Sequence, residues 1–540
     1  MVQHRIELRW LGWGVGVGLG AIALPVFAAS NSMGAGGIDA QRLHQDPYNL
    51  TGQKIALGQV EIGRPGLFGL DKAVSNRQPI TDLRVFFQNL PAKTNANVDP
   101  HAQSVASIMV SSTKGFEGVA PQATLYSSAV GLLKRNGQPE ECLSAQHVAL
   151  QNGGDVRAIN FSFGESLSQD PREKPVLDGN ALLTQCVDWS SRVHNTLYVI
   201  AGNQGRGGIP IPTDNFNGVT VAFSTQRDGV FSKVDFANLG EATYGFGKPL
   251  VGLEQNVGPR RSVSVVAPGS RISLMSLDGS VGRSSGTSFA APHVTGTVAL
   301  LQEYGDRQLR QQQPQWSLDA RRAEVMKAVL MNSAEKVLDD GSGKRLGMTR
   351  TLLTQSNRSW LESDAYQNRE IPLDLQMGAG HLSAYRAYEQ FSPGQWSPQA
   401  PVPAIGWDYR AVEAAGGEAA LPYRDYVLAE PLAAGSYVSA TLAWHRQVDL
   451  VDRNGNGAYD LGEEFRDRGL NNLDLYLMRA EDDDISQSVW SSVSAVDSVE
   501  HLFFPVPQAG RYKLRVVYRQ QVNEAIQPYA LAWWTAPQQP

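Results

Sequence analysis

Short apolar runs alternating with helix-length stretches set the rhythm of the chain as far as about residue 390. Residues 54–60 (KIALGQV) read as a buried strand that ends at Glu61-Ile62-Gly63. Residues 99–109 open on Asp99-Pro100 and run into a helix of small residues. Residues 118–126 turn into a second strand, residues 145–150 begin a helix, and residues 156–164 form a strand ending in a polar, glycine-terminated edge. A helix near residues 181–193 follows, then strands at 197–201, 219–223 and 262–267. Residues 323–334 read as an amphipathic helix and residues 378–382 as a short closing element. Strands alternating with helices in this way predict an α/β domain whose parallel sheet is covered on both faces. Beyond residue 405 the pattern changes. Alternating segments at 437–444, 473–478, 500–506, 512–518 and 529–534, with turn signals between them, predict an all-β sandwich. Residues 392–405, rich in Pro, Gln and Ser, read as a linker between an α/β domain at 30–391 and a β domain at 406–540.

Length and charge sharpen this picture modestly. A chain of 540 residues has room for two or more domains. Its net charge of −6 leaves no basic stripe, so a nucleic-acid partner is not expected. The first thirty residues change the picture more. Arg5 and Arg9, an apolar Gly-rich run at 11–26, then Ala28 and Ala29 have the layout of a secretory signal peptide over residues 1–29. The run is short for an uncleaved anchor, which needs about 20 apolar residues. The expectation is a secreted or periplasmic monomer with no membrane attachment after cleavage. Cys142 and Cys186 suit that compartment as one disulfide, with two separate buried thiols as the alternative.

Chemistry concentrates at residues 286–296 (GTSFAAPHVTG), where Gly286 allows a tight turn and Ser288 stands at a helix start. The helix dipole there favours developing negative charge. A Gly-Thr-Ser turn that merely caps a buried helix is the structural alternative. Glu61 lies at the end of a strand, where open α/β sheets place functional groups. His101, in the first turn of a helix, has the side chain best poised for proton transfer near neutral pH. Asn203, between Gly202 and Gly205 past a buried strand, carries an amide that could face an oxyanion, or could simply hold a turn.

Taken in order, Glu61, His101, Asn203 and Ser288 are acid, base, oxyanion amide and nucleophile, and this arrangement resembles the subtilisin-like serine proteases. The resemblance runs from about residue 40 to 390 and is most specific at 286–296, with further matches at 201–205, 159–164 and 118–126. It implies a subtilisin-like three-layer domain with a mainly parallel sheet. It also implies a serine endopeptidase acting on protein or peptide substrates, in which Ser288 attacks, His101 is the general base and Asn203 donates to the tetrahedral intermediate. Ser162, Phe163 and Gly164 match the segment that pairs with an extended substrate and lines the pocket for the residue before the cut.

This chain departs from the family at three points. Phe289 replaces a small or sulphur-containing residue, Ala102-Gln103-Ser104 replace the pattern after the histidine, and Glu61 replaces aspartate. A glutamate can hold the imidazole tautomer if the backbone recedes by about one methylene, and a Ser-His-Glu set exists on another hydrolase fold. Glu61 is therefore preferred over the other nearby carboxylates, Asp71 and Asp99. The residues between the signal region and the first strand are too few for the globular prodomain common in secreted members. The changed acid motivates a second reading, a catalytically silent binding or adhesion protein. A third reading, an unrelated α/β hydrolase or lipase, is disfavoured by the lack of a Gly-x-Ser-x-Gly elbow at Ser288.

The phrases ATLAW (440–444), NLDL (472–475), AGRY (509–512) and YALA (529–532) are similar to the jelly-roll domain appended to some secreted members of the family. Within it, residues 452–463 place Asp452, Asn454, Asn456, Asp460 and Glu463 at loop positions one, three, five, nine and twelve. Glycine stands at position six, and Ala458 offers its carbonyl at seven. That spacing is what a structural Ca²⁺ loop requires. No organic cofactor is expected.

Overall fold

The computed structural model describes residues 32–74, 79–132, 136–202, 210–227, 229–233, 260–414 and 422–538. The signal-peptide region and Asn203 lie outside them. Strands β1 (Ala56–Glu61), β2 (Leu83–Phe87), β3 (Leu90–Pro91), β4 (Thr124–Ala129), β5 (Val156–Phe161), β6 (Leu197–Ala201), β7 (Val219–Arg227), β8 (Val230–Lys233) and β9 (Val265–Pro268) build the first sheet. A separate hairpin follows, β10 (Ile272–Met275) and β11 (Val281–Ser284), and β12 (Thr351–Leu353) adds an edge to the sheet. The order across it is β12-β8-β7-β6-β5-β1-β4-β2-β3, with β9 also on β7. The central pairs β1 with β4 and β5, β5 with β6 and β6 with β7 are parallel.

Strands β1, β5 and β6 are buried along their whole length, which is why they read as nearly continuous apolar runs rather than alternating ones. Leu57 and Ala158 point into one core, shared with the helices Pro100–Val110 and Thr287–Arg310. Their neighbours Ala56 and Ile159 point into another, shared with the helices Gln138–Ala149 and Leu182–His194. Alternate side chains of a strand face opposite sides, so the sheet is the middle of three layers. The helix expected to begin at residue 145 instead starts at Gln138, with Pro139 in its first turn, and ends at Ala149. Proline suits that position because its missing N–H would have no partner there.

The carboxyl-terminal region carries β13 (Ile405–Glu413), β14 (Tyr423–Val427), β15 (Tyr437–Trp444), β16 (Val448–Val451), β17 (Glu464–Asp467), β18 (Asn472–Arg479), β19 (Trp490–Ser492), β20 (Val499–Pro505), β21 (Tyr512–Gln520) and β22 (Ile526–Thr535). They form two antiparallel sheets, β13-β22-β15-β20 and β14-β21-β18-β19. With the β16–β17 hairpin set aside, the first strand pairs with the last and the chain alternates between sheets except at the consecutive pair β18–β19, an arrangement close to a jelly roll. Val438, Leu442, Leu475, Leu514 and Leu531 lie in the core between the sheets. Residues 392–405 run along this sandwich, with Trp396 N donating to Trp407 O and Val402 N to Val427 O, both at 2.8 Å.

The two regions share a buried interface. The helix Ala323–Asn332 packs against β15 and β22, and Asn332 Oδ1 accepts from Ser439 Oγ at 2.9 Å. Arg446 donates to Asp188 Oδ2 from Nε at 3.0 Å and from Nη2 at 2.7 Å, and to Gly179 O at 2.7 Å. The side chains of this pair are 2% and 0% exposed. Arg446→Ala therefore strands a buried carboxylate and is expected to cost about 3–5 kcal/mol, read as a lower urea midpoint. A loss below about 1 kcal/mol, the scale of a surface pair, would show that the interface does not depend on it. No helix among the described residues is long and apolar enough to cross a membrane.

Candidate active site

The carboxyl ends of β1, β5 and β6 meet the start of the helix Thr287–Arg310 at one place. Glu61 is the last residue of β1 and is 2% exposed. Its Oε2 lies 3.3 Å from His101 Nδ1. His101 is the second residue of its helix, which Asp99 caps by accepting from Ala102 N at 2.9 Å and Pro100 opens. Gln59 Nε2 donates to Ala102 O at 2.9 Å, tying that first turn to β1. The imidazole is 41% exposed, so one edge of the ring is open to solvent. Burial favours its neutral form, but the Glu61 carboxylate, by charge and by hydrogen bond, and the Asp99 charge outweigh burial and raise the pKa above 6.5.

Neither of the other two carboxylates makes an equivalent contact. Asp71 forms a bidentate pair with Arg64 at 2.6 and 2.8 Å and accepts from Leu67 N and Asn95 N. Asp99 is engaged as the helix cap.

Ser288 is the second residue of its helix and is 8% exposed. Thr287 Oγ1 donates to Gly202 O at 2.7 Å, fixing the helix start against the end of β6. Ser162 Oγ donates to Ser288 O at 2.9 Å, and Ser288 Oγ donates back to Ser162 O at 3.2 Å. Asn160 Nδ2 donates to Ser162 Oγ at 2.9 Å, and Asn160 Oδ1 accepts from Thr295 of the serine helix at 3.3 Å. These positioning residues lay inside segments singled out in the sequence, but polar residues within buried strands and helices carry no local signal of their partners. Phe289, the unusual residue after the serine, places its ring 5.7 Å from that of His101. His293, also in the motif, is fully buried with Nδ1 2.7 Å from Phe289 O, and burial pushes its pKa down to about 4. It is a neutral packing group.

Ser162, Phe163 and Gly164 continue directly from β5. Phe163 stacks on Phe161 with ring centroids 5.1 Å apart, and both belong to the core under this edge. Gly164 is partly exposed.

The calcium-like loop lies far along the chain, in the β16–β17 hairpin. Asn454 Nδ2 and Asn456 Nδ2 both donate to Asp460 Oδ2, at 2.6 and 2.8 Å. Asp452 accepts from Gly455 N and Gly457 N, while Glu463 accepts from Arg453 N and Asp460 N. Gly457, at loop position six, has φ 75°, a conformation suited to glycine. Among the described residues no group of three or more His, Cys, Asp or Glu forms a metal cluster. The hairpin packs on the catalytic layer. Gln146 and Tyr459 bond to each other through both groups, side chain to backbone. Tyr459 shares an apolar cluster with Cys142 and Cys186. Those cysteines form a disulfide between the helices Gln138–Ala149 and Leu182–His194, with Cα atoms 5.8 Å apart.

A model of the Subtilase family matches residues 72–349, just over half of the chain, a stretch that begins after Glu61. Thermitase from Thermoactinomyces vulgaris is 24% identical over 242 residues, covering 45% of this chain and 68% of the relative. The thermostable alkaline protease of Halalkalibacterium halodurans is 28% identical over 201 residues, covering 36% of this chain and 46% of the relative. The chain thus spans about half to two thirds of the length of such relatives. The solved structure of the prenylagaramide maturation protease PagA aligns at 20% identity with a TM-score of 0.40, covering 65% of this chain and 97% of that one.

Proposed function

This chain belongs to the subtilase family of serine endopeptidases, and from that premise we propose that it hydrolyses peptide bonds through an acyl-enzyme on Ser288, using a Ser-His-Glu set. The observation that carries the reading is the 3.3 Å contact of Glu61 with His101 Nδ1. It leaves Nε2 to act as the base, and in this reading Ser288 Oγ exchanges its bond to Ser162 O for one to the imidazole. Catalytic hydrogen bonds often tighten only with substrate bound. Oγ then attacks the carbonyl carbon and its proton passes to Nε2. The tetrahedral oxyanion is held by backbone N–H groups at the helix start and by Asn203. Collapse breaks the C–N bond as the imidazolium gives its proton to the leaving amine, and water repeats the sequence to free Ser288. Glu61 keeps the tautomer and stabilises the imidazolium. The edge at Ser162, Phe163 and Gly164 receives the substrate backbone as an added strand.

The test is cleavage of a denatured protein by the full chain at neutral pH, with products identified by mass. Cleavage that survives Ser288→Ala would refute the reading. The reading also takes the protein as secreted or periplasmic, in line with the signal-like residues 1–29.

We infer as well a structural Ca²⁺ held by Asp452, Asn454, Asn456, Asp460, Glu463 and the Ala458 carbonyl. The donor set fits, because the two amides already meet Asp460 and exchanging their N and O by rotation presents oxygens instead. The ion would supply charge neutralisation to three carboxylates in one loop. Since the hairpin covers the disulfide face, a chelator is expected to lower the melting temperature. At saturating ion, about 100 times Kd, the stabilisation is about 2.7 kcal/mol. A melting temperature indifferent to chelator and to added Ca²⁺ would remove the ion from the account.

A further inference from the structure

Just past the proposed substrate edge, the chain places a second carboxyl pair. Glu165 follows Gly164 and extends the edge, donating N–H to Ile211 O at 2.9 Å and accepting from Ile211 N at 3.1 Å. Its side chain is partly exposed and lies within charge and hydrogen-bonding range of Glu141 of the helix Gln138–Ala149, a residue only 1% exposed. Two adjacent carboxylates repel one another, and a cation brought beside them relieves that repulsion. Glu141 Oε2 is buried with no hydrogen-bond partner. Among the described residues no Lys, Arg or His forms an ion pair with either acid. Burial, then the charge and hydrogen bond of Glu165, then the charge of Glu140, hold the Glu141 carboxyl well above its usual range. Among the described residues the pair is an acidic site without a counter-ion, at the rim of the proposed substrate edge.

Its distance from the reacting bond follows from the strand. Ser288 Oγ bonds Ser162 O, so Ser162 stands opposite the scissile bond. A strand advances about 3.3 Å per residue, which puts Glu165 about 10 Å further along. An extended substrate paired with the edge covers that distance in about three residues. The side chain that meets Glu165 therefore belongs to the third or fourth residue on the amino side of the cut.

We propose that Glu165, backed by Glu141, selects a lysine or arginine at that substrate position. This rests on the peptidase reading above. The arriving cation pairs with the carboxylates, whereas an apolar side chain leaves the acids unpaired and an acidic one is repelled.

The experiment uses the full chain and quenched peptides identical except for Arg, Leu or Glu at the third and fourth positions before the cut, with the cut mapped by mass. The Arg peptide is expected to show a kcat/KM at least about tenfold above the Leu peptide, the scale of one added ion pair, with the Glu peptide slowest. Glu165→Gln is expected to bring the Arg-to-Leu ratio to within about threefold. Glu165→Lys should reverse the order of the Arg and Glu peptides, which loss of a structural contact would not do. Glu141→Gln should lower the Arg-to-Leu ratio too, and serves if the Glu165 variants fail to fold. Equal rates on the three peptides, or a ratio unchanged in these variants, overturn the proposal and leave the peptidase reading standing. No Ser288-dependent cleavage of any peptide overturns both.

Discussion

Ser288→Ala is expected to lower kcat by about 10⁶-fold, the scale seen in subtilisin, a member of the same family. In the proposed mechanism this hydroxyl forms the acyl bond, and the neighbouring hydroxyls of Ser162 and Thr287 are engaged with Ser288 O and Gly202 O. What remains is binding and oxyanion stabilisation acting on water, which leaves a residual rate about 10³- to 10⁴-fold above the uncatalysed one. In the proposed mechanism nucleophile, base and acid act as a unit, so adding Glu61→Gln to Ser288→Ala is expected to cost nothing further. The measurement is peptide hydrolysis by single and double variants under saturating substrate. A double variant much slower than Ser288→Ala would separate the two residues into independent roles.

Glu61→Gln alone is expected to lower kcat/KM by about 10³- to 10⁴-fold. A neutral amide cannot stabilise the imidazolium and can hold the wrong tautomer. The pH profile makes the effect specific. His101 must be neutral to accept the proton, and its pKa is raised above 6.5 chiefly by the Glu61 carboxylate acting against burial. The acidic limb of kcat/KM therefore lies above pH 6.5 in the native protein and moves down when the charge is removed. For stability, a histidine pKa raised on folding contributes an interaction fully present below about pH 6.5 and lost as pH rises through the folded value. The His101–Glu61 attraction is thus strongest when the ring is charged, as it is when the oxyanion forms. Asp71→Asn should instead weaken folding, because Asp71 holds the buried Arg64. A Glu61→Gln profile with an unmoved limb and little loss of rate would hand the acid's role to another group.

Much of the fold was legible because burial leaves a strong mark on sequence. Strands β1, β5 and β6, covered on both faces, show it as continuous apolar residues, and β15 and β21 as segments between turn signals. The contact of His101 with Glu61 was legible from chain order and local context, even with glutamate in place of aspartate. Partnerships between distant polar groups were not. The early start of the helix Gln138–Ala149 was hidden because Glu141 looks like a solvated charge, yet it is buried against Glu165 from another segment. Arg446 and Asp188 are far apart in the chain and meet only when the two regions dock. The packing of Tyr459 on the disulfide cluster likewise arises from tertiary contact, since a tyrosine in a polar loop has no local reason to be 1% exposed.

The central claim is that Ser288 is a nucleophile activated by a histidine that Glu61 holds. It is tested most directly by the rate of fluorophosphonate labelling of the purified protein across pH, with the adduct located by peptide mass. The account predicts one adduct, on Ser288, lost in Ser288→Ala, with a labelling rate that rises through a midpoint above pH 6.5 and a lower midpoint in Glu61→Gln. No Ser288 adduct at neutral pH, or an adduct whose rate ignores Glu61, would contradict it.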